Sequence, residues 1–204
     1  MSVPPVVYEG VYGPYTVTGE HRREVLAYRL SLLLLALAQV ALLVQWRWLG
    51  PSWCWPWLLL MAAGLGGALR WVHIYLVPLH RTLQLFWLLG CAGFGLLAYR
   101  AGAASMLPQL VDQPVWIWLV GPFFAALAGL GFKEFFCFQR PEAIGLTLLL
   151  PLLLLGWWLG LWSAPGASGL LAAQSRLLMV LALREGPTPE EADLGDLSGF
   201  AKLA

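Results

Sequence analysis

The segment Ala143-Ile-Gly-Leu-Thr-Leu-Leu-Leu-Pro-Leu-Leu-Leu-Leu-Gly-Trp-Trp-Leu-Gly-Leu-Trp162 contains no charged residue over its 20 positions. A helix of roughly 20 residues is long enough to cross the hydrocarbon core of a bilayer, which is about 30 Å thick. Uninterrupted apolar segments of this length are typical of membrane proteins rather than soluble domains. The segment therefore predicts a transmembrane helix.

Five further segments are also long and mostly apolar, and Gly and Pro residues occupy the short intervals between them. Ser168–Leu183 is the weakest, because Gln174, Ser175 and Arg176 interrupt it. The remaining predicted spans are Tyr28–Trp46, Trp53–Leu69 (extending towards Leu76), Thr82–Tyr99 and Val115–Phe132. We expect one transmembrane domain over residues 28–184, a polar N-terminal arm over 1–27 and a short acidic C-terminal tail over 185–204.

The overall composition supports the same class. Of the 204 residues, 60% are hydrophobic and 11% are charged, whereas a soluble domain carries about 25% charged residues. The net charge of +1 provides no basic surface for nucleic acid. The three cysteines form no CxxC pair, and the chain lacks HExxH, GxSxG and Walker motifs. We therefore expect no cofactor, metal site or catalytic residues, and the lipid bilayer as the main partner.

The distribution of basic residues predicts the orientation. Cytoplasmic segments of membrane proteins are enriched in Lys and Arg. With the N-terminus inside, only Arg47 and Arg100 fall on the outer side, where most of the Trp residues also cluster. The inner segments contain Arg22, Arg23, Arg29, Arg70, Arg81, Lys133 and Arg140. The predicted fold is an all-α bundle of about six transmembrane helices with both termini cytoplasmic.

The polar segment between the fourth and fifth predicted spans is the first candidate functional site. Lys133, Glu134 and Arg140 lie among four phenylalanines, just before Pro141. The simpler interpretation is an interfacial anchor for the two helices. The functional interpretation is a surface on which the three charged side chains bind a partner loop or an anionic lipid headgroup.

Arg176 is the second candidate, because it lies near the middle of the sixth segment. Intramembrane arginines usually face the interior of a bundle and have a partner there. Glu134 and the backbone carbonyls around Pro151 are the candidate partners. Alternatively, the helix is tilted or shifted so that the guanidinium reaches the headgroups.

His73 and His80 are seven residues apart near the inner end of the second predicted span. On one helix face they could ligate haem iron or chlorophyll magnesium. Pro78, however, lies between them and is expected to end or kink the helix. We therefore favour two interfacial histidines over a cofactor site.

Two stretches of the sequence are distinctive. The first stretch is Tyr8-Glu-Gly-Val-Tyr-Gly-Pro-Tyr-Thr-Val-Thr18 with Arg23-Glu-Val-Leu-Ala-Tyr-Arg29, and the second is Phe132-Lys-Glu-Phe-Phe-Cys-Phe138 with Glu142. Together they resemble a family of uncharacterised integral membrane proteins known mainly from cyanobacteria, with relatives in plastids. The resemblance implies no activity, cofactor or substrate. It implies a photosynthetic host, and hence a thylakoid or plasma membrane.

Two hypotheses about function follow from the sequence. The first is a non-catalytic accessory or assembly component of a membrane complex, whose further partners are other membrane-protein subunits. The second is a small-solute or ion transporter or channel with a pathway past Arg176. Polar residues are scarce within the predicted spans, and transport pathways need them, so we favour the first hypothesis.

Overall fold

The computed structural model describes residues 7–74, 76–189 and 194. Within these residues, two short strands precede seven α-helices, and 3-10 turns at Ala103–Ser105 and Pro114–Trp116 flank the short fourth helix. The elements are β1 (Val7–Gly10), β2 (Gly13–Thr16), α1 (Gly19–Leu49), α2 (Trp55–Trp71), α3 (Val77–Ala101), α4 (Met106–Asp112), α5 (Ile117–Phe138), α6 (Pro141–Trp158) and α7 (Ala164–Glu185).

The six long helices form a bundle in which each helix packs against two others. α1 packs against α2 and α7, α5 packs against α3 and α6, and α6 also packs against α7. The smaller contact between α2 and α3 closes the ring. Successive long helices run in opposite directions, so one end of the bundle carries most arginines (the basic end) and the other most tryptophans (the tryptophan-rich end). The predicted all-α membrane bundle is confirmed.

Five of the helices are long and apolar enough to cross a membrane: α1, α3, α5 with its preceding turn, α6 and α7. α7, which corresponds to the weakest predicted span, is one of them. α2 has 17 residues, or about 26 Å, and it ends at Trp71 rather than continuing towards Leu76. The count of six spans is therefore not confirmed, although six long helices pack together.

Close backbone contacts hold α3 against α5. A Cβ atom added to Gly90 would lie 2.4 Å from the backbone nitrogen of Phe123, and one added to Gly93 would lie 2.1 Å from the carbonyl oxygen of Leu119. Only glycine permits this approach, because any side chain would overlap the neighbouring backbone. Small residues serve the same purpose at many helix interfaces in membranes.

The N-terminal arm contains a feature that the sequence analysis did not predict. β1 and β2 pair as an antiparallel hairpin, and the rings of Tyr8 and Tyr15 stack with centroids 5.6 Å apart. Tyr15 and Val17 then pack against a small core formed by Val25 and Leu194. Most of the predicted acidic tail lies outside the described residues.

Candidate functional site

The two stretches that carry the family resemblance meet at the basic end. Tyr28 of α1 donates a hydrogen bond of 2.5 Å from its hydroxyl to Glu134 Oε1 of α5. Lys133 Nζ lies 2.9 Å from the same oxygen and packs over the rings of Tyr28 and Phe138, at 5.4 and 4.4 Å from their centroids. One carboxylate oxygen therefore binds a hydroxyl and an ammonium group together.

Burial makes this arrangement unusual for charged groups. The side chains of Lys133 and Glu134 are 5% and 0% exposed. Glu134 Oε2 accepts no hydrogen bond from any residue that the structure describes. An unpaired charge in a low-dielectric interior is strongly unfavourable, so the two charges stay paired, and their contacts with Tyr28 hold the end of α5 against α1.

A second buried ion pair joins the α5–α6 connection to the end of α7. Gln139 adopts a left-handed conformation (φ 51°) that ends α5, and Arg140 follows it. Arg140 Nε lies 2.9 Å from Glu185 Oε1, and both side chains are at least nine-tenths buried. Arg140 Nη2 also donates to Thr188 Oγ1 at 2.9 Å. The chain after α7 is thereby attached to the start of α6.

Two further contacts complete the basic end. Arg184 Nη1 donates to both oxygens of Glu142, at 2.9 and 2.8 Å, which joins α6 to α7. Arg29 of α1 donates to the carbonyl oxygens of Gly186 and Thr188. We call the charged groups and their hydroxyl partner the basic-end cluster, and its members are Tyr28, Lys133, Glu134, Arg140, Glu142, Arg184 and Glu185.

The placement of Lys133, Glu134 and Arg140 differs from the expected exposed surface. All three side chains are buried, because each has an oppositely charged neighbour inside the bundle rather than in the headgroup layer. Binding of a partner or headgroup by these residues stays a prediction. Tyr28 and Glu185 are partners that the sequence analysis did not identify.

The two histidines lie on different elements. His73 is in the connection after α2, and its Nε2 lies 3.2 Å from Glu24 Oε2. His80 is in the first turn of α3, where its Nε2 lies 2.6 Å from the carbonyl oxygen of Leu69. Burial lowers the pKa of His73, and the neighbouring Glu24 carboxylate partly offsets this effect. Among the described residues, no group of three His, Cys, Asp or Glu side chains could hold a metal ion.

A separate polar cluster lies about halfway along the bundle. Gln39 of α1 and Gln174 of α7 are each ten residues, or about 15 Å, from the tryptophan-rich ends of their helices. Gln39 Nε2 donates to Gln174 Oε1 and, at 2.8 Å, to Ser175 Oγ. Within the described residues, Gln39 Oε1 and Gln174 Nε2 have no hydrogen-bond partner.

Arg176 points away from this cluster. Its side chain is exposed on the outer surface of α7, whereas the preceding Gln174 and Ser175 are buried. Glu134, one of the two expected partners, binds Tyr28 and Lys133 instead. Arg176 therefore does not face the interior of the bundle, and a guanidinium that reaches the headgroups stays a prediction.

Above the Gln39 cluster, towards the tryptophan-rich end, lies a cavity of about 180 Å³. Every α-helix contributes to its wall, and almost all of the contributing side chains are apolar. Gln39 and Ser168 are the polar ones, and Trp46 and Trp157 contribute aromatic rings.

Comparison with known proteins identifies the family. No curated protein and no solved structure matches the chain. A family model described as an uncharacterised integral membrane protein (DUF2301) matches residues 67–201. This region contains α3 to α7, and therefore the second stretch of the resemblance and most of the basic-end cluster. The chain thus belongs to the DUF2301 family of uncharacterised integral membrane proteins.

Proposed function

We propose that this protein is a non-catalytic accessory or assembly component of a larger membrane complex. In this proposal it spans the bilayer six times with both termini in the cytoplasm, and α7 is the helix that contacts the rest of the complex. The family resemblance favours the thylakoid or plasma membrane of a photosynthetic bacterium as its location. The observation that carries the proposal is the exposed position of Arg176.

Arg176 lies deep within α7. Twelve residues separate it from Ala164 and nine from Glu185, which correspond to about 18 Å and 14 Å of helix. An arginine near the centre of a membrane helix costs about 2.5–3.5 kcal/mol on the insertion scale. The described residues provide no ion pair for it, so a carboxylate on another membrane protein is a suitable partner.

The surface around Arg176 suits a second helix. Gly169, Ala173 and Arg176 follow one another at intervals of four and three residues, and all three are exposed on one face of α7. A Cβ atom added to Gly169 would meet nothing within 4 Å, so the backbone of α7 is accessible there. Small residues allow transmembrane helices to approach closely. We infer a partner helix that carries Asp or Glu at the depth of Arg176.

Transport of a small solute is the second candidate, and the polar cluster at Gln39 favours it. A layer of buried apolar side chains between the Gln39 cluster and the basic end disfavours transport. Leu35 of α1 and Leu178 of α7 are 0% exposed and lie on the basic-end side of Gln39 and Gln174. A polar pathway would have to pass this apolar layer and then the ion pairs of the basic-end cluster.

A charge-swap experiment in native membranes tests the accessory role. A photoreactive residue at Ala173 should crosslink to one transmembrane helix, and mass spectrometry identifies the acidic residue at the crosslinked depth. Arg176→Leu should release the protein from its complex on a native gel, because the partner's carboxylate is left unpaired. Arg176→Glu combined with Arg at the partner's acidic position should restore the complex.

The matched controls are Arg100→Leu, which removes an exposed arginine at the tryptophan-rich end, and a photoreactive residue at Leu148, which is 63% exposed on α6. Arg100→Leu should leave the complex unchanged on the native gel, and the photoreactive residue at Leu148 should not crosslink to the partner helix. If Arg176→Leu stays in a complex of unchanged size, or if the charge swap fails, α7 is not the docking helix. Solute flux by the purified protein in vesicles would support the transport alternative instead.

A further inference from the structure

We propose that the cavity above Gln39 is a binding site for a small apolar molecule that carries one hydrogen-bond donor. A molecule with one ring and one hydroxyl is the representative of this class. This inference is independent of the docking role of α7, since it concerns the interior of the bundle.

The size of the cavity limits the ligand. An engineered apolar cavity of about 150 Å³ in another protein binds benzene and contains no water. A cavity of about 180 Å³ therefore accommodates one ring with a small substituent. A complete lipid is much larger than this volume.

The wall favours an apolar ligand with a defined orientation. Met61, Phe94 and Leu150 are buried side chains of three different helices, and all of them line the cavity. Water is poorly stabilised by such a wall, because it needs two to four polar partners. An apolar ring gains dispersion contacts in the same space.

Gln39 defines the polar group of the ligand. Its amide Nε2 is occupied by Gln174 and Ser175, whereas its Oε1 is buried and accepts no hydrogen bond within the described residues. A buried acceptor without a donor is unfavourable. Because Gln39 lines the cavity, we assign its Oε1 as the acceptor for a hydroxyl or N–H on the ligand, which is the reason for expecting a phenol-like molecule rather than a hydrocarbon.

The route into the cavity starts at α7. Ala164 and Ser168 are the lining residues that are exposed, and both lie in the first two turns of this helix. The mouth therefore lies beside the start of α7, at the tryptophan-rich end. Small amphiphilic molecules concentrate at the membrane interface, so they can enter from the bilayer.

Fluorine NMR of the full-length protein in nanodiscs tests the site, with 4-fluorophenol and fluorobenzene as probes. The wild-type protein should give a saturable bound resonance for each probe, separate from the resonance of probe in lipid. After correction for partitioning into lipid, we expect 4-fluorophenol to bind about three- to tenfold more tightly than fluorobenzene, because one hydrogen bond contributes a difference of this size.

Two variants and one control localise the site. Ala167→Phe fills the cavity and should abolish both bound resonances. Gln39→Leu should remove the preference for 4-fluorophenol while fluorobenzene still binds. Gln84→Leu is the matched control, because Gln84 lies near His80 at the basic end and should leave binding of both probes unchanged.

Three outcomes would overturn the proposal. The first is the absence of a saturable resonance in the wild-type protein. The second is persistence of binding in a folded Ala167→Phe variant, which would place the probes elsewhere. The third is an unchanged preference for 4-fluorophenol in Gln39→Leu, which would remove the role of the amide. If Gln39→Leu fails to fold, Ala167→Phe still decides whether the cavity binds the probes.

Discussion

Removal of the Lys133 ammonium should destabilise the protein strongly, although the residue lies near the end of a helix. In Lys133→Met the chain keeps a side chain of similar length, but the Glu134 carboxylate loses the cation that lies 2.9 Å from its Oε1. Tyr28 then remains as its hydrogen-bond donor. Removing one partner of a buried ion pair costs about 3–5 kcal/mol, so we expect a loss of this size in the free energy of unfolding.

Companion variants separate the charge from the packing. Tyr28→Phe removes one hydrogen bond to a charged group but keeps the ring beneath Lys133, and should cost about 1.5–3 kcal/mol. The double variant Lys133→Met/Glu134→Leu removes both charges. It should recover most of the stability lost in Lys133→Met, because apolar replacements of a buried pair are often neutral or stabilising.

Equilibrium unfolding in mixed micelles, followed by tryptophan fluorescence, measures these differences. Arg100→Gln is the control, because the Arg100 side chain is exposed at the tryptophan-rich end and surface substitutions of this kind change the free energy of unfolding by about 0.5 kcal/mol or less. The reasoning would be refuted if Lys133→Met unfolded like the wild type. Equal instability of the single and double variants would also refute it, since packing rather than charge would then be responsible.

Three other predictions concern the α3–α5 contact, pH and topology. Gly90→Ala should lose about 1–3 kcal/mol by overpacking, whereas Gly95→Ala, with nothing within 4 Å of the added Cβ atom, should gain about 0.5–1 kcal/mol in the same unfolding assay. Since burial lowers the pKa of His73 below its ordinary 6.5, the unfolded chain takes up the proton first. The free energy of unfolding should therefore have its full value above about pH 6.5. It should decrease as the pH drops through the lower pKa that His73 has in the folded protein. His73→Asn should remove this loss, and an unchanged pH profile would contradict the assignment. Single cysteines at Ser2 and Ser198, in a background without native cysteines, should react from the same side of the membrane, and labelling from opposite sides would exclude six spans.

The helices could be predicted from the sequence because the length of an apolar run is a local property. Pro78 was expected to end or kink a helix that contains both histidines, and in the structure it lies at the start of α3. His73 consequently lies outside any helix. The predicted extension of α2 towards Leu76 is also absent, since residues 72–74 and 76 lie outside any helix. Helix ends depend on contacts with other segments, as does the hairpin before α1.

Apart from the adjacent Lys133 and Glu134, the contacts of the basic-end cluster could not be predicted from local sequence, because their partners are distant along the chain. Periodicity does give one signal: Leu127 and Leu130 are buried, and Glu134 follows at the next helical interval, while Phe132 and Phe136 are exposed on another face of α5. This spacing predicts that Glu134 faces the bundle, but it does not identify Tyr28, which is 106 residues away. The same limitation applies to every ion pair between helices. A pattern within one helix fixes the direction of a charged side chain, and the packing of the helices determines which side chains of the other helices it contacts.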